Sequence, residues 1–176
     1  MNQTIVLETP RLRLRPLTSN PADVAEFVRM HADPRVNTFV GAYTEQQAVD
    51  RLRIVEQQWA QRGHGLFAVE SREDGRFLGR SGLQYWEQWD EVEAAWTYRF
   101  EAHGHGYATE AAEAFLAWGW RTLGMDRITS LIDPRNAASA KVAERLGFRA
   151  GALEQRFEPA RDMIVYELRR SGVRVA

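Results

Sequence analysis

The spacing of apolar residues changes at 103–106, and this change limits the folds that the chain can adopt. Downstream of the two glycines in this segment, apolar or small residues recur every three or four positions. They are Ala108, Ala111, Ala112, Phe115, Leu116, Gly119, Trp120 and Leu123. This spacing places them on one face of a helix. The sequence therefore predicts a long amphipathic helix that starts at about Tyr107 and packs one face against a core.

Upstream of the glycines, short apolar runs separated by turn residues predict β-strands. Residues 66–71, 77–86 and 91–100 form three such runs, and an Asp-Gly turn in 73–76 joins the first two. Runs of this length with short turns are typical of an antiparallel meander. An earlier strand at 11–17 alternates charged and apolar side chains, which indicates one buried face.

Two helices are predicted between the first strand and the meander. One begins with Asn20 as N-cap and Pro21 in its first turn, and it ends before Pro34. The other follows Thr44 and is closed by Gly63. Each carries apolar residues three and four positions apart, so each is expected to bury one face.

The last third of the chain continues with a strand at 127–133 and a helix that is capped by Asn136 and ends at Gly147. Strands at 148–157 and 162–169 follow. The predicted class is α/β, or α+β in some conventions. We expect a mixed, mostly antiparallel sheet of about seven strands, flanked by about four helices.

Length and composition indicate how many domains the chain forms and in which cellular compartment it is expected. The 176 residues suit one domain, and no repeat or linker divides them. No apolar run approaches the roughly 20 residues that cross a bilayer, and the first residues do not resemble a signal peptide. The chain has no cysteine, which fits a reducing compartment. We therefore expect a cytoplasmic protein that is not membrane-embedded.

Charge and histidine content argue against two further classes of partner. The net charge is −1, so no overall field draws nucleic acid or an anionic membrane, and neither is expected as a partner. Without cysteine, metal ligands would come mainly from four histidines, and none stands in a metal-binding spacing. His103 and His105 flank the glycine turn, but no carboxylate pattern completes a site. No metal is expected.

The turn His103–Gly104–His105–Gly106 has an arrangement that suits an anion. Glycines between a strand and a helix let backbone N–H groups converge where the unpaired first N–H groups carry partial positive charge. This geometry favours a phosphate or diphosphate. Neither a P-loop nor a Rossmann glycine pattern is present. A strand-to-helix turn without any ligand is the alternative.

Three separated motifs resemble the GNAT N-acetyltransferase superfamily, and more narrowly its RimJ/RimL-type branch. They are LETPRLRLRPLT near the start, HGHGYATEA at the glycine turn, and DPRNAASAKVAERLGF near the end. The chain departs from the family at His103, where Gln or Arg is usual. It departs again at Ala94 and Ala95, where the branch commonly has Ile-Gly at a bulge.

The resemblance implies a single GNAT acetyltransferase domain over 1–176, with acetyl-CoA as co-substrate and a primary amine as acceptor. The amine is a protein N-terminal α-amine or a small molecule, and it attacks the thioester directly. A backbone N–H on the strand at 92–98 is expected to polarise the thioester carbonyl. The residues expected to bind CoA are His103, Gly104, His105, Gly106, Tyr107, Ala108, Asn136 and Lys141. Asn136 also suits a structural role as a helix cap, and Lys141 suits the role of a surface lysine.

Two side chains are assigned to the chemistry by the same resemblance. Glu93 matches the family's strand glutamate and is expected to take a proton from the amine, directly or through water, with Glu101 as the reserve candidate. Ser139 matches the family's serine and is expected to donate a proton or a hydrogen bond to the departing thiolate. The alternatives are a solvent-facing strand residue for Glu93 and a hydroxyl bonded to its own helix for Ser139. One or two of Tyr85, Trp86, Trp89, Trp96 and Tyr98 are expected to wall the acceptor slot.

Two other functions stay open at this point. A CoA-binding sensor or scaffold without catalysis would keep the glycine turn and would not need Glu93 and Ser139 as a base and a donor. An acetyltransferase for an antibiotic amine would keep both. The acceptor, the acyl chain length and the oligomeric state, including a homodimer, are left open.

Overall fold

A computed structural model describes residues 5–170 as one eight-stranded sheet with helices on both faces. The strands are β1 (Leu7–Glu8), β2 (Leu12–Pro16), β3 (Leu66–Ser71), β4 (Phe77–Trp86), β5 (Glu91–Tyr98), β6 (Arg127–Ile132), β7 (Arg149–Arg156) and β8 (Arg161–Arg169). The helices are α1 (Pro21–Ala32), α2 (Pro34–Asn37), α3 (Glu45–Arg62), α4 (Tyr107–Thr122) and α5 (Ala137–Arg145). Short 3₁₀ turns at Glu87–Trp89 and Phe100–Ala102 complete the described elements.

The sheet is mixed and mostly antiparallel, as predicted, in the order β1-β2-β3-β4-β5-β6-β8-β7. Its one parallel contact among the described strands joins β5 to β6 through a single residue pair, Glu93 with Thr129. By contrast, β4 and β5 stay paired from Gly79–Tyr98 to Trp86–Glu91, with no register shift at Ala94 or Ala95. Strands β5 and β6 therefore separate beyond Glu93, and an opening forms between them.

Two apolar cores lie on opposite faces of the sheet. Helices α1 and α3 bury Phe27, Leu52 and Val55 against β3 and β4. Helices α4 and α5 bury residues such as Phe115 and Ala143 against the other face. At about 25 cal/mol per Å² of buried apolar area, packing on both faces supplies the main stabilisation of such a layered fold.

The predicted helix starts agree with the structure because capping is a local interaction. Asn20 accepts a hydrogen bond from the backbone N–H of Asp23, Thr44 forms a capping box with Gln47, and Asn136 accepts from Ser139. Each side chain satisfies an N–H group that the first turn leaves unpaired.

Four features differ from the prediction. The sheet has eight strands and the described chain five helices, because β1 and α2 are too short to produce a periodic pattern. Strand β5 ends at Tyr98 rather than at residue 100, where a 3₁₀ turn begins. Trp118 is also buried, although it lies off the predicted face of α4, because its ring packs on Trp59 and Phe67.

Candidate active site

The first turn of α4 exposes backbone N–H groups that have no side-chain acceptor. Its N-cap is Gly106, with φ of 79°, and no side chain caps the helix there. Gly104 is also left-handed, with φ of 78°. The two glycines turn the chain into the helix with little steric cost, and the N–H groups at a helix start favour an anion. This end of α4 is therefore a candidate phosphate site.

Neighbouring side chains hold the turn in place. Nε2 of His103 lies 2.9 Å from the carbonyl oxygen of Tyr98. The ring of His105 stacks on that of Tyr107, with 5.4 Å between centroids. The guanidinium of Arg11 lies over the ring of Tyr107, with its Cζ atom 4.6 Å from the ring centroid. These contacts connect the turn to β5 and to the start of β2.

A cavity of about 490 Å³ opens beside this turn. The predicted residues on its wall are His103, Gly104, Gly106, Tyr107, Ala108, Asn136, Ser139 and Lys141. His105 does not line the cavity, because its exposed ring stacks along Tyr107. Arg35 and Arg145, which were not predicted, add two cations to the wall beside Lys141. We call this space the larger cavity.

A second cavity of about 260 Å³ adjoins it and contains Glu93. The two cavities share Phe39, Val40, Trp96, Thr97, Asn136 and Ser139 as wall residues. The shared residues of β5 lie beyond Glu93, where β5 and β6 separate. One continuous space therefore leads from the start of α4, past Ser139, to Glu93. We call the second space the smaller cavity.

Three neutral donors hold the carboxylate of Glu93. Oε2 accepts a hydrogen bond from Nε2 of Gln84 at 2.7 Å and another from the indole N–H of Trp86 at 2.5 Å. Oε1 accepts from the backbone N–H of Leu131 at 3.3 Å. Burial raises the pKa of Glu93 above its usual value, and the hydrogen bonds oppose that rise. The structure thus places Glu93 on a cavity wall with 6% of its surface exposed, rather than on a solvent-facing strand surface.

Ser139 and Asn136 lie at the junction of the two cavities. Oδ1 of Asn136 accepts a hydrogen bond of 3.2 Å from the backbone N–H of Ser139, which is the cap expected at this helix start. Asn136 therefore combines the capping role with a place on the cavity wall. The Ser139 hydroxyl makes no hydrogen bond to its own helix among the interactions of residues 5–170, so it is available to a ligand.

Several other predicted residues lie away from this space. Glu101 is exposed and pairs with Arg35 at 3.5 Å, outside both cavity walls. Of the aromatic residues, Trp86 and Trp96 line the smaller cavity, and Tyr98 lines the larger one. Tyr85 and Trp89 line neither.

Eight polar residues of the smaller cavity were not predicted from the sequence: Tyr43, Arg51, Arg80, Gln84, Thr97, Ser130, Asp133 and Arg161. A signal for Arg51 was present, because it lies three residues after Ala48 and four before Val55, on the apolar face of α3. Arg80 interrupts the strand at 77–86 near its middle. Their convergence depends on the packing of α3 against β4.

No group of three or more potential metal-ligating side chains occurs within residues 5–170. Over the same residues, no helix has the length and hydropathy to span a membrane.

Comparisons with known proteins identify relatives of similar sequence and fold. The family model described as an acetyltransferase (GNAT) domain matches residues 11–149. Among proteins, the chain is 32% identical over 151 residues to the uncharacterized protein YkkB of Bacillus subtilis (strain 168), covering 84% of this chain and 87% of YkkB. It is 24% identical over 163 residues to an uncharacterized N-acetyltransferase, p20, of Bacillus licheniformis, covering 90% of each. Among solved structures, an acetyltransferase from Agrobacterium tumefaciens str. C58 superposes with a TM-score of 0.84 at 30% identity, covering 97% of each chain.

Proposed function

The chain belongs to the acetyltransferase (GNAT) family, and we propose that it transfers the acetyl group of acetyl-CoA to a primary amine. The observation that carries this proposal is the continuous space between the start of α4 and Glu93, with Ser139 at its middle. One end suits a diphosphate and the other suits a base, so a donor and an acceptor can meet between them. Membership of the RimJ/RimL-type branch is part of the proposal and rests on the three sequence motifs.

The larger cavity is proposed to hold CoA. The N–H groups of the first turn of α4 bind its diphosphate, and the two positive-φ glycines let that diphosphate approach the backbone. Lys141 and Arg145 supply positive charge along the same wall, whereas the charge of Arg35 is already paired with Asp33 at 2.7 Å. Holding both reactants in a near-attack geometry lowers the barrier by about 7 to 11 kcal/mol, so positioning is the largest contribution that we assign. Acetyl-CoA, when bound, supplies a thioester whose carbonyl carbon can accept an amine.

Glu93 is proposed to take the proton that the ammonium must lose before attack. A raised pKa makes its carboxylate a better proton acceptor near neutral pH, while its three donors keep it oriented. The proton reaches Glu93 directly or through one water. In the transfer, a C–N bond forms and the C–S bond breaks. Glu93 holds the proton that the ammonium lost before attack, and the second proton that the nitrogen loses as the amide forms goes to solvent.

Ser139 and the backbone of β5 are proposed to stabilise the charges that develop. The Ser139 hydroxyl donates a hydrogen bond to the departing sulfur, which completes its conversion to a thiol with a proton from solvent. An N–H group on β5 within 94–98 polarises the thioester oxygen, because this edge has separated from β6. Both groups line the junction where the reacting atoms would lie.

The test measures binding and turnover separately. Calorimetry with CoA reports the donor site, and thiol release from acetyl-CoA across a panel of amines and short peptides reports transfer. We expect CoA to bind and at least one amine to release thiol. Binding without release from any acceptor would favour the sensor or scaffold alternative. Preference for an aminoglycoside-type amine would favour the antibiotic alternative. The cytoplasmic location and the oligomeric state stay predictions.

A further inference from the structure

Two arginines meet in the smaller cavity without a carboxylate partner. Arg80, on β4, has 8% of its surface exposed, and its Nε has no hydrogen-bond partner among residues 5–170. Arg51, on α3, donates from Nη2 to Oε1 of Gln84 at 2.5 Å, a neutral acceptor. Neither guanidinium forms an ion pair with a carboxylate of the described chain. Both line the cavity, together with Tyr43.

Among residues 5–170, the other buried arginine, Arg156, has carboxylate partners. Arg156 has 6% of its surface exposed and forms ion pairs with Glu154 at 2.8 Å and with Glu91 at 3.4 Å. An unpaired charge in a protein interior costs several kcal/mol, so buried arginines usually have such partners. Arg80 lacks one, and burial lowers its pKa to about 10, in the direction expected for a cation without a counter-ion.

Glu93 does not fill the role of that partner. Its negative charge attracts both arginines. However, its oxygens accept from Gln84, Trp86 and Leu131. The cavity wall also carries Arg161 and Asp133, so with all three arginines and both carboxylates charged, one positive charge remains in excess.

We propose that the acceptor is an amino acid, whose carboxylate is bound by Arg51 and Arg80 while its ammonium lies toward Glu93 and Ser139. The inference rests on the proposed function and names the substrate class of the same site. Guanidinium groups bind carboxylates in paired, charge-assisted hydrogen bonds. A single carboxylate matches the excess of one positive charge, whereas a phosphate dianion would exceed it beside Glu93.

The spacing of the cavity also favours a small zwitterion. The side-chain amide of Gln84 hydrogen-bonds to both Arg51 and Glu93, so only this amide separates the cationic side of the cavity from the anionic side. The two charged groups of one amino acid can therefore face the two walls together. Trp86, Leu131 and Met163 on the same cavity surface favour an apolar side chain.

The first experiment compares matched acceptors with the unmodified protein. L-Methionine and L-phenylalanine are each paired with their primary amides, and phosphoethanolamine and a neutral C-amidated peptide complete the panel. Values of kcat/KM are expressed per unprotonated amine, because an amide lowers the pKa of the neighbouring ammonium. We expect each acid to exceed its amide at least tenfold. Equal values, or preference for phosphoethanolamine or the peptide, would overturn the carboxylate assignment while leaving acetyl transfer intact.

The second experiment tests the arginines. In Arg51→Met and Arg80→Met, we expect the acid-to-amide ratio to fall at least tenfold. Arg53→Met changes an exposed arginine on the same helix and should keep the original ratio. Arg80→Lys, which keeps the charge and loses the fork of donors, should give an intermediate ratio. A ratio that is unchanged in the Arg51 and Arg80 variants would contradict the proposal.

A binding measurement separates this inference from the proposed function. Calorimetry with CoA present should give at least tenfold tighter binding of L-methionine or L-phenylalanine than of its amide. If no amine is acetylated but this preference holds, acetyl transfer fails and the carboxylate site stands. If acid and amide bind equally, the carboxylate site fails.

Discussion

The indole N–H of Trp86 donates a hydrogen bond of 2.5 Å to Oε2 of Glu93, within the smaller cavity. This contact orients the carboxylate and opposes the rise in pKa that burial causes. Trp86 in turn packs on Trp89 and Phe157, with ring centroids 5.5 and 5.3 Å away. A packed aromatic cluster thus fixes the position of the proposed base.

Glu93→Gln should lower kcat by about a hundredfold or more, since a general base commonly contributes that much. Because the pKa of Glu93 is raised, kcat/KM of the unmodified enzyme should rise with pH as its carboxyl ionises, and this limb should be lost in the variant. A pH-rate profile measures both effects. Glu101→Gln is the control and should behave like the parent. If Glu101→Gln shows the loss instead, the reserve candidate is the base.

Gly106→Val should abolish measurable CoA binding in calorimetry. A β-branched residue at φ of 79° is strained by about 1 to 2 kcal/mol, and its side chain would distort the first turn of α4. Gly63→Val is a matched control, because Gly63 has φ of 72° at the end of α3 and lines neither cavity. It should lose stability and keep CoA affinity. Unaltered affinity in Gly106→Val would contradict the diphosphate site.

Ser139→Ala should lower kcat about 10- to 100-fold, the loss expected when a hydrogen bond to a developing charge is removed. Its thermal stability should hardly change, because Ser139 contributes its backbone N–H to the helix cap. Asn136→Ala provides the contrast and should lose about 1 kcal/mol of stability, because it removes the cap itself. Steady-state kinetics and thermal melts measure the two effects. Full turnover in Ser139→Ala would remove the hydroxyl from the mechanism.

Arg80→Met should stabilise the free protein by about 1 to 4 kcal/mol, since it removes a buried charge that lacks a partner. Arg156→Met should destabilise it by about 3 kcal/mol, because Glu91 loses one of its cations in a buried position. Urea denaturation at neutral pH gives both free energies of unfolding. Destabilisation by both variants alike would indicate that Arg80 is a structural residue.

The stability of the protein should fall as pH drops below 6.5, partly because of His31. This side chain has no exposed surface, and desolvation, followed by the charge of Arg80, lowers its pKa to about 3. Between the unfolded value of 6.5 and about 3, the unfolded chain takes up a proton that the native state does not bind. The resulting loss is about 1.4 kcal/mol per pH unit, or about 2 kcal/mol between pH 7 and pH 5.

Urea denaturation of His31→Phe at the same two pH values tests this assignment. Phe suits a position between the rings of Phe27 and Tyr43, which lie 4.2 and 4.9 Å from His31. The variant should lose about 2 kcal/mol less than the parent over this range. His105→Phe, at an exposed position, should keep the parent's pH dependence. Equal losses in the parent and His31→Phe would contradict the assignment.

The sequence by itself determined the helix starts, most strand positions and the glycine turn before α4. Capping by Asn20, Thr44 and Asn136 joins residues three positions apart, and the apolar face of α4 repeats every three or four residues. These interactions are local, so a linear pattern records them. The two-residue β1 and four-residue α2 were missed because they are shorter than any such period.

The tertiary structure alone decided how the site is assembled. Arg51, Arg80 and Glu93 come from α3, β4 and β5, and no spacing along the chain indicates that they line one cavity. The opening that connects this cavity to the start of α4 exists because β5 and β6 separate beyond Glu93. Burial and charge balance depend on which distant segments pack together, and the pKa of Glu93 and the unpaired state of Arg80 follow from that packing.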